Sequence, residues 1–202
     1  MTMKITPLLL NPFKWSQERT LLIVGLTALA LSVFVSHFCH VEFQILRINP
    51  LNKVTVWKAL FNQVVIVSVL SLFLFISGKI VNGKTRFIDI FNTVIIGFIP
   101  FYILGLQNIN HFQTREINAL EQAVQDGGIY SYLPSPLFII LAIVSLVFIV
   151  YYIYLFVIGF RTATHSKRVG HYVTFVLALI IADLAASYII NFFNFWWWKT
   201  LF

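Results

Sequence analysis

Charge is what this sequence most lacks. Only 10 % of its 202 residues are Asp, Glu, Lys or Arg, while 59 % are hydrophobic. A soluble domain has about 25 % and about 45–50 % respectively. So few charges cannot cover a surface facing water, and the mean hydropathy of +0.88 agrees, so an ordinary soluble domain is excluded. Cysteine is nearly absent: Cys39 stands alone, which rules out an internal disulfide and leaves the redox compartment unread. Catalytic signatures are missing too, with no HExxH, no GxSxG and no GxxxxGK[ST] in the chain. Tandem repeats and low-complexity tracts are also lacking. The formal net charge of +7 suggests nucleic acid only until the charges are located. They lie in short segments between apolar runs, without a basic stripe interleaved with aromatics, so the bilayer and not nucleic acid is the expected partner.

What the chain does have is long apolar runs. About 20 residues cross about 30 Å of hydrocarbon as a helix, and five runs qualify, at 20–38, 59–77, 87–106, 136–160 and 172–195. The expected fold is therefore all-α, a bundle of five transmembrane helices (residues 20–202) behind a lead segment (residues 1–19). The first run resembles a secretory signal, since Lys4, Lys14 and Arg19 precede it and "ALA" at 28–30 looks like a cleavage site. The apolar stretch continues through "LSVFVSHF", however, which favours an uncleaved span. Basic residues divide nine against five between the two sides. Lys4, Lys14, Arg19, Lys79, Lys84, Arg86, Arg161, Lys167 and Arg168 face Arg47, Lys53, Lys58, Arg115 and Lys199. The positive-inside rule then puts the N-terminus in the cytoplasm. Trp57 and "WWWK" at 196–199 suit one headgroup belt and Trp15 the other. Among the outside loops, "VEFQIL" alternates like a short strand before "NPLN" turns the chain. "FQTREINALEQAVQDGG" reads as a short helix with Ile117, Leu120, Ala123 and Val124 on its apolar face, stopped by Gly127 and Gly128.

The residues able to do chemistry are few. His37, Cys39 and His40 in "HFCH" are metal-ligand types, but structural zinc normally takes four protein ligands; no metal and no cofactor is expected. Asp89 and Asp183 are the span carboxylates, separated by roughly 13 Å in depth at about 1.5 Å per residue. That is too far for a dyad sharing a proton, so an enzyme is not expected. Asp183, Ser187, Asn191 and Asn194 share one helical stripe, and intramembrane acids often mark ion paths. Asn92, Tyr102, Tyr151, Tyr152 and Tyr154 are sparse counterparts, with Pro100 able to kink the third span and free a carbonyl. A polar clasp explains the stripe with fewer parts: Tyr151 and Asp183 reach one depth across the fourth and fifth spans. A separate face bearing Ala178, Ala182, Ala185 and Ala186 suits close helix packing. Lys84, Arg86, Arg161, Lys167 and Arg168 are candidates for headgroup or partner contact, although topology bias alone accounts for them.

"YYIYLFVIGFRTATHSKRVGHYVTFVLALIIADL" resembles the closing segment of the Yip (Ypt-interacting protein) domain family, in which an apolar span ends in Gly before a short basic turn and a last span. "LLLNPFKW" and "GKTRFIDIFNTVIIGFIPFYIL", the latter with its mid-span proline, resemble the family's opening segment and third span. The resemblance implies five membrane helices and a cytoplasmic N-terminus. Eukaryotic members are implicated in vesicle trafficking through small GTPases. Their Asp-Leu-Tyr-Gly-Pro motif is absent here, and the long polar N-terminal region is reduced to about nineteen residues, so GTPase binding does not carry over. The short form looks prokaryotic, which implies the bacterial inner membrane, and it brings no catalytic residues. The function expected is non-enzymatic, in membrane organisation or as a subunit binding a membrane-protein partner or a second copy. The alternative is a small channel or transporter built on Asp183.

Overall fold

A computed structural model describes residues 10–126, 132–166 and 170–201. The chain is all-α, about 81 % helical, with five helical stretches long and apolar enough to cross a membrane. A short α1 (Pro12–Trp15) precedes the first of them, α2 (Glu18–Phe38). Proline opens α1 at a position whose N–H would be unpaired anyway, and Asn11 caps it by accepting from the Lys14 amide at 3.2 Å. A two-stranded hairpin follows, β1 (Val41–Phe43) and β2 (Ile48–Pro50), and then α3 (Val56–Val81), whose Thr55 cap accepts from the Lys58 amide. The third stretch is divided into α4 (Phe87–Gly97) and α5 (Ile99–Gly105). A 3₁₀ turn (Leu106–His111) leads into α6 (Phe112–Gln125). The last two are α7 (Pro136–Thr164), begun by Ser135 and Pro136, and α8 (Gly170–Leu201).

The third stretch is the axis of the bundle and by far the most buried of the five, whereas α7 is the least buried. Its division at Phe98 follows from Pro100, which has no N–H to give to the Ile96 carbonyl. The bonds Phe98 N–H to Val94 and Tyr102 N–H to Phe98 bridge the junction at 3.1 and 3.0 Å. Gly97 allows α7 to approach at this point, because a Cβ there would lie 2.6 Å from the Phe156 ring. Phe98, Phe101, Tyr152 and Phe156 then pack ring to ring, with centroids 4.5 to 5.8 Å apart.

α8 packs chiefly along α3. Ala178, Ala182 and Ala186 are buried on it and Ala185 is half-buried, a small-residue strip that lets two helices approach closely. Phe61 against Phe193, 5.0 Å apart, extends this seam. The two ends of the bundle differ. One gathers Glu18, Lys84, Arg86 and Arg161 and is called here the basic end; the other carries the root of the hairpin and α6. Leu120 and Val124 of α6 are exposed and Ile117 and Ala123 half-buried, so its apolar face stays partly open. Gly127, Gly128, Lys167 and Arg168 lie outside the described residues, as do the side chains of "WWWK".

Candidate functional site

The alternation of "VEFQIL" predicts a strand in an outside loop turned by "NPLN". The strand is there, but the turn comes earlier and the hairpin points inward. Val41 pairs with Pro50, Glu42 with Asn49 and Phe43 with Ile48, and the Gln44 amide closes the turn on the Arg47 carbonyl at 2.9 Å. Val41, Phe43 and Ile45 are all fully or almost fully buried. The Phe43 ring meets Tyr102 edge-on at 5.4 Å. Gly105 makes room for it, since a Cβ there would stand 2.5 Å from the Phe43 ring.

Peptide groups carried into an apolar bundle need partners, because nothing else there can satisfy them. Within the strands the hairpin pairs with itself. At the tip two helices supply the rest: Tyr152 of α7 donates its hydroxyl to the Ile45 carbonyl at 2.5 Å, and Asp183 of α8 accepts from the Leu46 amide at 3.3 Å. Tyr152 lies twelve positions before the end of α7 and Asp183 thirteen after the start of α8, so the tip reaches the middle of both. One donor and one acceptor from neighbouring helices thus grip consecutive residues of one turn.

Side chains extend the contact. Arg47 Nη2 donates to the Ser187 hydroxyl at 3.3 Å, and Arg47 Nε donates to Gln44 Oε1. Gln44 Nε2 reaches Glu42 at 3.3 Å, and Glu42 is paired with Lys58 at 2.9 Å. A polar chain therefore runs from the start of α3 down the hairpin to α8. Arg47, read from sequence as a loop charge, belongs to this buried-hairpin network. Of the stripe, Asp183 and Ser187 meet the hairpin, Asn191 is exposed and Asn194 half-buried. Tyr151 is half-buried and stacks on Tyr154 at 6.3 Å, while its neighbour Tyr152 points to the tip.

The "HFCH" residues take separate roles. His37 Nδ1 is 2.7 Å from the Val54 carbonyl, which fixes it as the donor. The Cys39 carbonyl accepts from Asn108 at 2.8 Å, and the thiol is buried, which raises its pKa. His40 stacks on His111, 4.5 Å between centroids. Its Nδ1 is buried without a hydrogen-bond partner among the described residues, and burial, then His111 and His37, lower its pKa. Among the described residues no three His, Cys, Asp or Glu side chains converge on a point where a metal would sit.

At the basic end, Arg86 forks onto Asp89 at 2.6 and 2.9 Å and onto Glu18 at 2.8 Å. Both carboxylates push its already high pKa further up. Lys84 and Arg161 are exposed. Between α2, α4 and α7 this end has a half-open cavity of about 440 Å³, lined among others by Lys84, Arg86 and Asn92. The sequence offered Asn92 only as a sparse polar counterpart to the Asp183 stripe, because a lone Asn in an apolar run has no partner visible by spacing; it lines this cavity instead. Tyr152 was offered in the same way, as one of three tyrosines, whereas Gln44 and Leu46 were not marked at all, since their roles depend on where the hairpin points.

Comparison with protein-family models, with curated proteins and with solved structures gives no match.

Proposed function

We propose that this chain is a five-span, Yip-like protein of the bacterial inner membrane, N-terminus and basic end in the cytoplasm. It works without catalysis, as a membrane-organising or partner-binding subunit. The observation that carries this reading is the use to which Asp183 is put. Its carboxylate accepts from the Leu46 amide, and Ser187 beside it accepts from Arg47. The two residues at the head of the polar stripe thus serve the hairpin, and the stripe supports a re-entrant plug sealed into the bundle. The nine-to-five division of basic residues supports the orientation.

Two measurements test the proposal together. Reconstituted in liposomes, the protein is expected to pass no ion or proton current that depends on Asp183. Flux abolished by Asp183→Asn would instead establish the small-channel alternative. In thermal unfolding, Asp183→Asn is expected to be mild, because its side-chain oxygen still accepts from Leu46. Asp183→Leu leaves that amide unsatisfied and is expected to cost about 1–2 kcal/mol. Equal stability of all three proteins would remove the clasp.

A further inference from the structure

The cavity at the basic end is a second polar site, some distance along the bundle from the hairpin tip. Its volume, about 440 Å³, falls in the range of about 300–1,000 Å³ usual for small-molecule sites. Four charged side chains line it: Glu18, Asp89, Lys84 and Arg86. Two are acidic and two basic, so an ion of one sign gains no net attraction there, whereas a group carrying both charges does.

The polarity within the cavity is set by Asn92. It is 2 % exposed and its Nδ2 donates to the Glu18 carbonyl at 3.4 Å. That carbonyl can only accept, which fixes which end of the amide faces it. Oδ1 is left buried, with no hydrogen-bond partner among the described residues. A carbonyl oxygen requires an N–H or O–H donor. Arg86 faces the same space with donors to spare. Nε and Nη2 are engaged by Asp89 and Glu18, which hold the guanidinium in place. Of its five N–H groups, those on Nη1 are left for an anion, and the exposed Lys84 is also on the lining.

We infer that this cavity binds a phosphoethanolamine group, its primary ammonium donating to Asn92 Oδ1 near Glu18 and its phosphate held by Arg86 and Lys84. The inference rests on the proposed orientation to the extent that the group comes from a lipid, because only then does this end lie at headgroup level. The chemistry makes a sharp distinction. A choline headgroup has the same two charges, but its quaternary nitrogen has no N–H and leaves Oδ1 unpaired. A glycerol headgroup has hydroxyl donors but lacks the positive charge that faces Glu18 and Asp89.

The test uses the full chain purified in detergent, offered phosphatidylethanolamine, phosphatidylcholine and phosphatidylglycerol in equal amounts, with retained lipid counted by native mass spectrometry. The expected result is a preference for phosphatidylethanolamine of about tenfold over phosphatidylcholine, a difference of the size that one charge-assisted hydrogen bond provides. Asn92→Leu is expected to bring that ratio near one while the protein stays folded, as thermal unfolding in detergent checks. Soluble phosphoethanolamine, added in competition, separates the sources. If it displaces the lipid, the small molecule is itself a ligand; if the lipid stays, the acyl chains contribute; both results uphold the zwitterion. Equal retention of phosphatidylcholine, preference for phosphatidylglycerol, or a ratio unchanged in Asn92→Leu would each overturn the inference, the last by showing that water satisfies Oδ1. The Asp183 series touches none of these residues, so failure here and failure of the clasp are distinguishable.

Discussion

Asp183 shows how little a residue's type and depth say about its work. Depth in the helix separated it from Asp89, and helical phase tied it to Ser187; both relations were legible in the sequence. Its partner was not, because a backbone amide 137 residues away leaves no mark in composition. The same holds for Tyr152, whose identity as a buried donor is shared with its two neighbours Tyr151 and Tyr154 until the hairpin is placed. Tyr152→Phe removes the donor to the Ile45 carbonyl and nothing else in volume terms. It is expected to lower stability by about 1 kcal/mol, measured by thermal unfolding in detergent, and to be non-additive with Asp183→Leu because both grip one turn. His40 gives a prediction in pH. Its folded pKa lies below the ordinary 6.5, so the unfolded chain binds the proton more readily. The contribution to stability is then complete above about 6.5 and is lost as pH falls below that value through the depressed folded one. Melting at pH 7.5 and pH 5.5 checks this, with His40→Asn as the control. Asn tolerates the positive φ of 53° at this position and is expected to flatten the pH dependence.

Among the elements, the five long helices were the legible part. Their starts and ends fall within about six residues of the apolar runs; α3, for example, begins three residues before its run, at Val56, where Thr55 caps it. The alanine strip on α8 was legible as well, because four small residues on one face leave few other uses. A larger side chain tests it: Ala182, fully buried, changed to Leu is expected to force α3 and α8 apart at a cost of about 1–3 kcal/mol. The direction of the hairpin was not legible. A strand buried on both faces and one standing in water at a headgroup boundary both read as short and apolar, and the only hint was Gly105, sixty residues downstream, where a close approach is permitted. Gly105→Leu is expected to expel Phe43 and weaken the hairpin's seat, read as faster hydrogen exchange at residues 41–48 with α7 and α8 unchanged.

For the whole molecule, the class of fold followed from composition, and the number of long apolar helices from run length, but the cavity at the basic end needed three helices to be assembled before it existed. Cys39 is buried, so single cysteines placed at other positions can be labelled against a quiet background. Labelling at residue 84 only from the cytoplasmic side is the result expected of the proposed orientation. The re-entrant hairpin also sets an order of events. It is synthesised between the first and second long helices, yet the groups that satisfy its tip stand 107 and 137 residues away in sequence, on the last two. Until those helices arrive from the ribosome, the tip has no partners and an apolar interior would reject it. In the proposed membrane setting, insertion of the hairpin is therefore expected to wait for α7 and α8. A nascent protein halted before α8 is expected to leave the tip without the Asp183 contact, so that added protease cleaves the loop faster than in a chain that includes α8.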